Sequence, residues 1–260
     1  MKLKIACLQM DIAFGNPAQN IKNAEKWVEK AAEQKCDLIV LPELWMTGYD
    51  LGRLGEIGDP EGKDLAAFIS RKAKEHHMDI IGGSTAMQTE DGHFNTMFIS
   101  NREGNIIKQY SKLHLFKLMD EHEHLLGGKS DGLFTLYDEI FAGFICYDIR
   151  FPEWIRKHAL DGAKALFVSA EWPLARAAHW KTLLTARAIE NQCYVIACNR
   201  CGDDPNNTFA GHSLIIDPWG EIVAEGSQEE ELVIAELELS LVEKVRKQIP
   251  IFEDRLPEFY

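Results

Sequence analysis

No stretch of the 260-residue sequence stays apolar for the ~20 residues that a membrane-spanning helix needs, so no bilayer span is expected. A surplus of positive charge is missing as well: 28 Lys and Arg face 41 Asp and Glu, a net charge of −13. That balance suits neither a phosphate backbone nor an anionic membrane face, so partners of both kinds are excluded from the expectation. The first residues, Met1-Lys-Leu-Lys-Ile-Ala-Cys-Leu-Gln9, lack the apolar core and small-residue cleavage site of a secretory leader. Cysteine is sparse and scattered: Cys7, Cys36, Cys146, Cys193, Cys198 and Cys201, several of them inside strand-like runs. Reduced, buried thiols are distributed this way, whereas a disulfide framework belongs to small secreted chains. The expected setting is the cytoplasm. Linkers, low-complexity tracts and fixed-period repeats are also absent, which leaves one domain over residues 1–260 as the economical reading.

What is present is an apolar fraction of 46%, enough for a substantial core, distributed over alternating strand and helix patterns. Leu3–Gln9 reads as a strand. Asn16-Pro17 supplies an N-cap and a first-turn proline, and Ile21, Ala24, Val28, Ala31 and Ala32 form the stripe of the helix that follows. Asp37–Leu41 is a short continuous apolar run of the kind buried on both faces of a sheet. Further strands are expected at Ile80–Ser84, Thr96–Ser100, Ile106–Tyr110, Phe141–Cys146, Ala165–Ser169, Tyr194–Asn199, Ser213–Asp217, Ile222–Ala224 and Leu232–Leu237. Helices are expected around Leu65–Ala73, from Pro152, over Ala178–Gln192 and from Ser240. Hairpin turns mixed with helical crossovers predict two sheets packed together and covered by helices.

Three side chains stand at or beyond the ends of such runs, where an open α/β sheet collects its chemistry. Cys146 ends a strand, and Tyr147-Asp-Ile-Arg150 leads from it to Pro152, a first-turn helix residue. A cysteine there lies near the positive end of a helix dipole, which predicts a thiol pKa below the usual ~8.5. The same turn aims backbone N–H groups at the site, and that of Tyr147 is a natural oxyanion donor. Glu43, after Leu38–Leu41, is placed to be buried and to serve as a general base. Lys112, after Ile106–Tyr110, can stabilise an oxyanion if it keeps its charge. Singly, each has a bland reading: a small buried hydrophobe, a solvated loop carboxylate, a surface lysine. Together, a base, a cation and a thiol nucleophile suit attack on a carbonyl or nitrile carbon.

The wording around these residues resembles the nitrilase, or carbon–nitrogen hydrolase, superfamily. The likeness runs through Leu41-Pro-Glu43, Lys112-Leu-His-Leu-Phe116 and Cys146-Tyr-Asp-Ile-Arg-Phe-Pro-Glu153. It continues through His179-Trp180, Ala186-Arg-Ala-Ile-Glu-Asn-Gln192, Gly211-His-Ser213 and Asp217-Pro-Trp-Gly220. The resemblance implies an α-β-β-α sandwich, a Glu43–Lys112–Cys146 triad, no metal or cofactor, and a homodimer. Within the superfamily the chain looks most like the omega-amidases, with Gln248-Ile-Pro-Ile-Phe252 and Tyr260 adding to the match. Such enzymes hydrolyse the terminal amide of 2-oxoglutaramate and 2-oxosuccinamate. N-carbamoyl amine, aliphatic amide or nitrile hydrolysis is the alternative, since the same triad serves all of them.

The family also carries a second glutamate between Lys and Cys. Glu121 and Glu123 compete for it, and the spacing to Gly127-Gly128 favours Glu121. A 2-oxo acid amide brings a carboxylate, so a local guanidinium is required. Arg176, after Glu171-Trp-Pro173, is the stronger candidate; Arg150 is read equally as a structural partner of Asp148 or Glu153. Trp172 is read either as a wall beside the substrate or as core. His122-Glu-His124 has no third metal ligand at a familiar spacing. Gly128-Lys-Ser130 lacks the upstream glycine of a phosphate loop, and Cys198-Asn-Arg-Cys201 is read as two reduced thiols.

Overall fold

The computed structural model describes residues 1–259; Tyr260, one of the residues behind the omega-amidase resemblance, lies outside the described residues. Two mixed sheets carry the chain. The first orders Glu231–Glu238, Lys2–Gln9, Leu38–Val40, Asp79–Thr89, Gly92–Ser100 and Ile106–Ser111, with the short Asp59–Pro60 added beside Asp79–Thr89. The second orders Ile222–Glu225, Leu214–Ile216, Tyr194–Asn199, Ala165–Ala170, Glu139–Ile145 and Leu133–Leu136. Central strands pair parallel in both, and hairpins extend the flanks antiparallel. Parallel strands covered on both sides need apolar residues throughout. Leu38–Val40 and Ala165–Ala170 are accordingly buried at every position.

The inner faces meet in one core, where Ile5, Val40, Ile81 and Ile99 of the first sheet join Phe144, Val168 and Ile196 of the second. Outside the first sheet, helices Pro17–Glu33 and Lys63–His76 bury Ala24, Val28, Leu65, Phe68 and Ile69 in a cluster with Leu8, Ile39 and Ile80. Pro152–Leu160 and Ala177–Asn191 bring Ile155, Trp180, Leu184 and Ala188 to the second sheet. The architecture is therefore the expected α-β-β-α sandwich. No helix among the described residues is long and apolar enough to cross a membrane.

Leu133–Leu136 is a strand that the sequence pattern does not predict. It joins Glu139–Ile145 through Tyr137-Asp138, with φ of +56° and +59°. Tight hairpins of this hand normally draw on Asn or Gly, so the turn has no recognisable signal. Tertiary bonds hold it instead: the Tyr137 hydroxyl bonds Asp79 and accepts from Arg102 Nη2 at 2.5 Å, and Arg102 pairs with Asp79 at 2.7 Å.

Candidate active site

Strand ends deliver the three sequence-predicted groups to one place. Glu43 follows Leu38–Val40 through Leu41-Pro42, and the adjoining strand passes very close at Gly83. A Cβ at Gly83 would stand 2.0 Å from the Pro42 carbonyl oxygen, and its φ is +65°, so only glycine fits. Leu44 N–H then donates to Ser84 Oγ at 2.9 Å. This fixes Glu43, which is fully buried. Its Oε1 accepts from Lys112 Nζ at 2.7 Å, Asn95 Nδ2 at 2.8 Å and Tyr49 OH at 3.2 Å. Its Oε2 accepts from the Glu171 N–H at 2.9 Å.

Lys112 leaves the strand Ile106–Ser111 with its N–H on the Asn95 carbonyl and its own carbonyl accepting from Gly128 N–H, both at 2.8 Å. It too is fully buried. Besides Glu43, its ammonium reaches Glu121 Oε1 at 2.6 Å, and its third N–H has no such carboxylate among the described residues. Glu121 also accepts from Tyr49 OH at 2.5 Å and from Phe116 N–H at 2.6 Å. The competing Glu123 has a side chain 67% exposed and pairs with His122. The structure thus brings Glu121, and not Glu123, against Lys112.

Cys146 stands where the strand Glu139–Ile145 gives way to the 3₁₀ turn Cys146–Arg150, with φ of +44°. A non-glycine residue in that region carries strain of about 1–3 kcal/mol and needs surroundings that impose it. Asp148 supplies them. Its Oδ2 accepts from Ile145 N–H at 3.1 Å and Tyr110 OH at 2.7 Å, and its Oδ1 accepts from His114 N–H at 3.1 Å. Asp148 is therefore committed to the turn and leaves no pairing for Arg150.

Charge in this pocket corrects one expectation. The Cys146 thiol is not lowered: burial and then Glu43 push it well above its usual value, and Lys112 opposes them only in part. The turn is a single 3₁₀ segment with weak dipolar pull, and the Lys112 charge is already shared between two carboxylates. The resting thiol is neutral, so ionising it requires a base, and Glu43 is close enough to bear on it. Burial alone would lower the Lys112 pKa, but Glu121 and Glu43 hold it above the ordinary lysine range. Glu121 is raised by burial and by Glu43 against the pull of Lys112. Tyr49 is raised by burial and by the same two carboxylates, so it stays a hydroxyl donor.

Cys146 opens on a narrow hollow of about 10 Å³, whose wall also holds Phe116, Tyr147, Arg150, Glu171, Trp172 and Arg176. Arg150 lies over the Trp172 ring with its guanidinium carbon 4.7 Å from the centroid, and Arg176 lies over Phe116 at 5.4 Å. Neither is ion-paired among the described residues; Arg150 has only a 3.5 Å contact to His179 Nδ1. Trp172 faces this hollow and also packs on Trp180, with ring centroids 5.2 Å apart. Tyr147 packs its ring on Phe116 at 4.8 Å. A roomier, open cleft lies beyond Tyr49, lined by Asp50, Met119, Asp120 and Asp204 among others, but it has no thiol. No group of three or more His, Cys, Asp or Glu among the described residues could hold a metal ion.

Four residues of this site escape sequence reasoning: Tyr49, Asn95, Glu171 and Arg200. Asn95, a lone buried amide in an apolar strand, was the most detectable of them. Glu171 is fully buried against Arg200, with Nη1 to Oε2 at 3.1 Å. Burial, only partly opposed by Arg200, raises it from 4.5 to about 8. A folded value above the unfolded one contributes stability that is complete below about 4.5 and lost as pH rises through about 8. The wild type is therefore expected to lose several degrees of melting temperature relative to Glu171→Gln between about pH 5 and pH 9. A difference independent of pH would contradict this.

The carbon-nitrogen hydrolase family model matches residues 4–247, and the chain belongs to that family. It is 54% identical over 260 residues to the 2-oxoglutaramate amidase of Bacillus subtilis, with 100% of both chains covered. It is 35% identical over 254 residues to omega-amidase YafV of Escherichia coli K12, covering 97% of this chain and 96% of the other. Among solved structures it resembles XC1258 of Xanthomonas campestris, a CN-hydrolase superfamily protein with an arsenic adduct in its active site. The TM-score is 0.92 at 30% identity, over 98% of each chain.

Proposed function

We propose that this protein hydrolyses the terminal amide of small 2-oxo acid amides such as 2-oxoglutaramate to the acid and ammonia. The observation that carries the reading is a hollow lined by the Cys146 thiol, with the buried Glu43–Lys112 pair close enough to bear on that thiol and two guanidiniums, not ion-paired among the described residues, on its wall. Similarity to the 2-oxoglutaramate amidase and to omega-amidase YafV supports the choice of amide over nitrile or carbamoyl substrates.

In this reading Glu43 takes the proton from Cys146 as sulfur bonds to the amide carbon. The carbonyl electrons move to oxygen, where the third N–H of Lys112 and the Tyr147 N–H stabilise the anion. Collapse breaks the C–N bond; Glu43 returns its proton to nitrogen, and ammonia leaves a thioester. Glu43 next deprotonates water, which attacks the thioester carbon; the C–S bond breaks and the thiol is restored. Glu121 and Tyr49 hold Lys112 and Glu43 in register, Asn95 also holds Oε1 of that carboxylate, and the Glu171 N–H holds its other oxygen. The reading also takes the protein as a cytoplasmic homodimer, paired through the helices Pro152–Leu160 and Ala177–Asn191.

Ammonia release over a panel of 2-oxo acid amides, plain amides, carbamoyl compounds and nitriles tests the assignment. The 2-oxo acid amides should lead; turnover confined to nitriles or carbamoyl compounds would overturn it. Arg176 and Arg150 are assigned to the substrate carboxylate. Substituting Arg176 with alanine is expected to raise KM for 2-oxoglutaramate about tenfold or more, as for loss of a charge-assisted pair. KM for an uncharged amide should barely move. Equal rises for both would remove Arg176 from that role.

A further inference from the structure

Glu171 is the one carboxyl group on the wall of the hollow, and half of it is in use. Its Oε2 accepts from Arg200, while Oε1 has no hydrogen-bond partner among the described residues although the side chain is fully buried. A buried acceptor left this way calls for an explanation, and one that stands on the wall of a hollow can be completed by a group that enters it. The side chain is not free to turn and satisfy itself. Arg200 is anchored by the carbonyls of Cys201, Ile12 and Asp203, by Asp11, and by the Phe209 ring 4.1 Å from its guanidinium carbon. Oε2 is therefore held towards Arg200, and Oε1 is left over.

Its neighbours identify the ligand group. The backbone N–H of Glu171 bonds the Glu43 carboxylate, so the residue belongs to the reacting end of the hollow beside Cys146. A carboxamide brings a carbonyl oxygen, which Lys112 can take, and two N–H donors. Phe116, Trp172 and Pro173 offer apolar surface, and Arg150 and Arg176 can only donate. The Tyr147 hydroxyl apart, Glu171 Oε1 is the uncommitted side-chain acceptor of this wall among the described residues.

We propose that Glu171 recognises the scissile amide, its Oε1 accepting an N–H of the leaving nitrogen. This rests on the amidase reading and adds a residue that selects the leaving group. A carboxyl group at the reacting end also disfavours a substrate entering carboxylate-first, which directs that charge to Arg150 and Arg176. Burial raises Glu171 to about 8, consistent with an oxygen that lacks a donor until substrate arrives. Oε1 accepts as the carboxylate; in the neutral acid Arg200 holds the carbonyl oxygen and Oε1 carries the proton, so ionised Glu171 and the bound amide N–H favour one another.

The test compares 2-oxoglutaramate with its 5-methyl ester, which has the same acyl group but no N–H on the leaving atom. In Glu171→Gln, Arg200 should take the side-chain carbonyl and turn the NH₂ into the hollow, donor against donor for the amide. The amide-to-ester ratio of kcat/KM is expected to fall by about tenfold or more, because a site built to pair a polar group rejects a mismatch strongly. Equal losses for both substrates would mark a structural role and overturn the proposal. A second measurement needs no change at Glu171: Cys146→Ala, which retains the hollow without turnover, should bind the amide about tenfold more tightly than the ester. Equal affinities would overturn it. If wild type instead prefers a plain amide, the same ratio is read on that amide and its ester. Should wild type hydrolyse no amide at all, the amidase reading fails and takes this proposal with it.

Discussion

Replacing Cys146 with alanine is expected to reduce amide hydrolysis by about 10⁴-fold or more while leaving the fold intact. The size follows from removing the atom that bonds to the substrate: nucleophile deletions leave only the modest acceleration from binding and oxyanion stabilisation. Stability should change little, because the side chain is small and lies on the wall of a hollow, where truncation adds no new buried void. Ammonia release and a thermal melt, run side by side, check both halves. Because the resting thiol is neutral, its reactivity towards a mild alkylating agent should depend on Glu43 as well. Cys146 is expected to label before the other five thiols, and to lose that lead in Glu43→Gln.

Lys112→Met should damage stability and activity together. The ammonium is fully buried between Glu43 and Glu121, at 2.7 Å and 2.6 Å. Without it two buried carboxylates face each other uncompensated, and removing one partner from a buried pair costs about 3–5 kcal/mol. One of the two is then expected to take up a proton. Activity should fall about 10³-fold or more from the lost oxyanion donor alone, with a further loss from a base now competing with Glu121 for that proton. A denaturant titration and ammonia assay of the purified variant check the pair of effects. Lys112→Met with wild-type stability would mean that the two carboxylates do not depend on this cation.

These outcomes rest on groups with unequal visibility in the sequence. Glu43, Lys112 and Cys146 were legible because each stands at or just beyond the end of a strand-like run, and the parallel-paired strands before Glu43 and Cys146 are easily read, whereas Lys112 follows a half-exposed antiparallel strand. Glu121 was separable from Glu123 only by spacing; the physical difference, Phe116 N–H and Tyr49 OH both on its carboxylate, depends on the folded loop. Tyr49, Asn95 and Glu171 reach Glu43 from elements 6, 52 and 128 residues away, and no local pattern announces such meetings. For a related reason the turn dipole does not lower the Cys146 thiol: burial and the carboxylates of Glu43 and Glu121, all supplied by tertiary structure, outweigh it. Leu133–Leu136 was invisible because its turn is held by Asp79 and Arg102 rather than by turn residues.

The central claim is that substrate carbon becomes bonded to Cys146 sulfur during turnover. Quenching the enzyme with acid while it hydrolyses 2-oxoglutaramate, then weighing its peptides by mass spectrometry, tests it most directly. The peptide containing Cys146 should gain the mass of the substrate less ammonia, and that adduct should vanish in Cys146→Ala. Steady turnover with the added mass on a different residue would contradict the account.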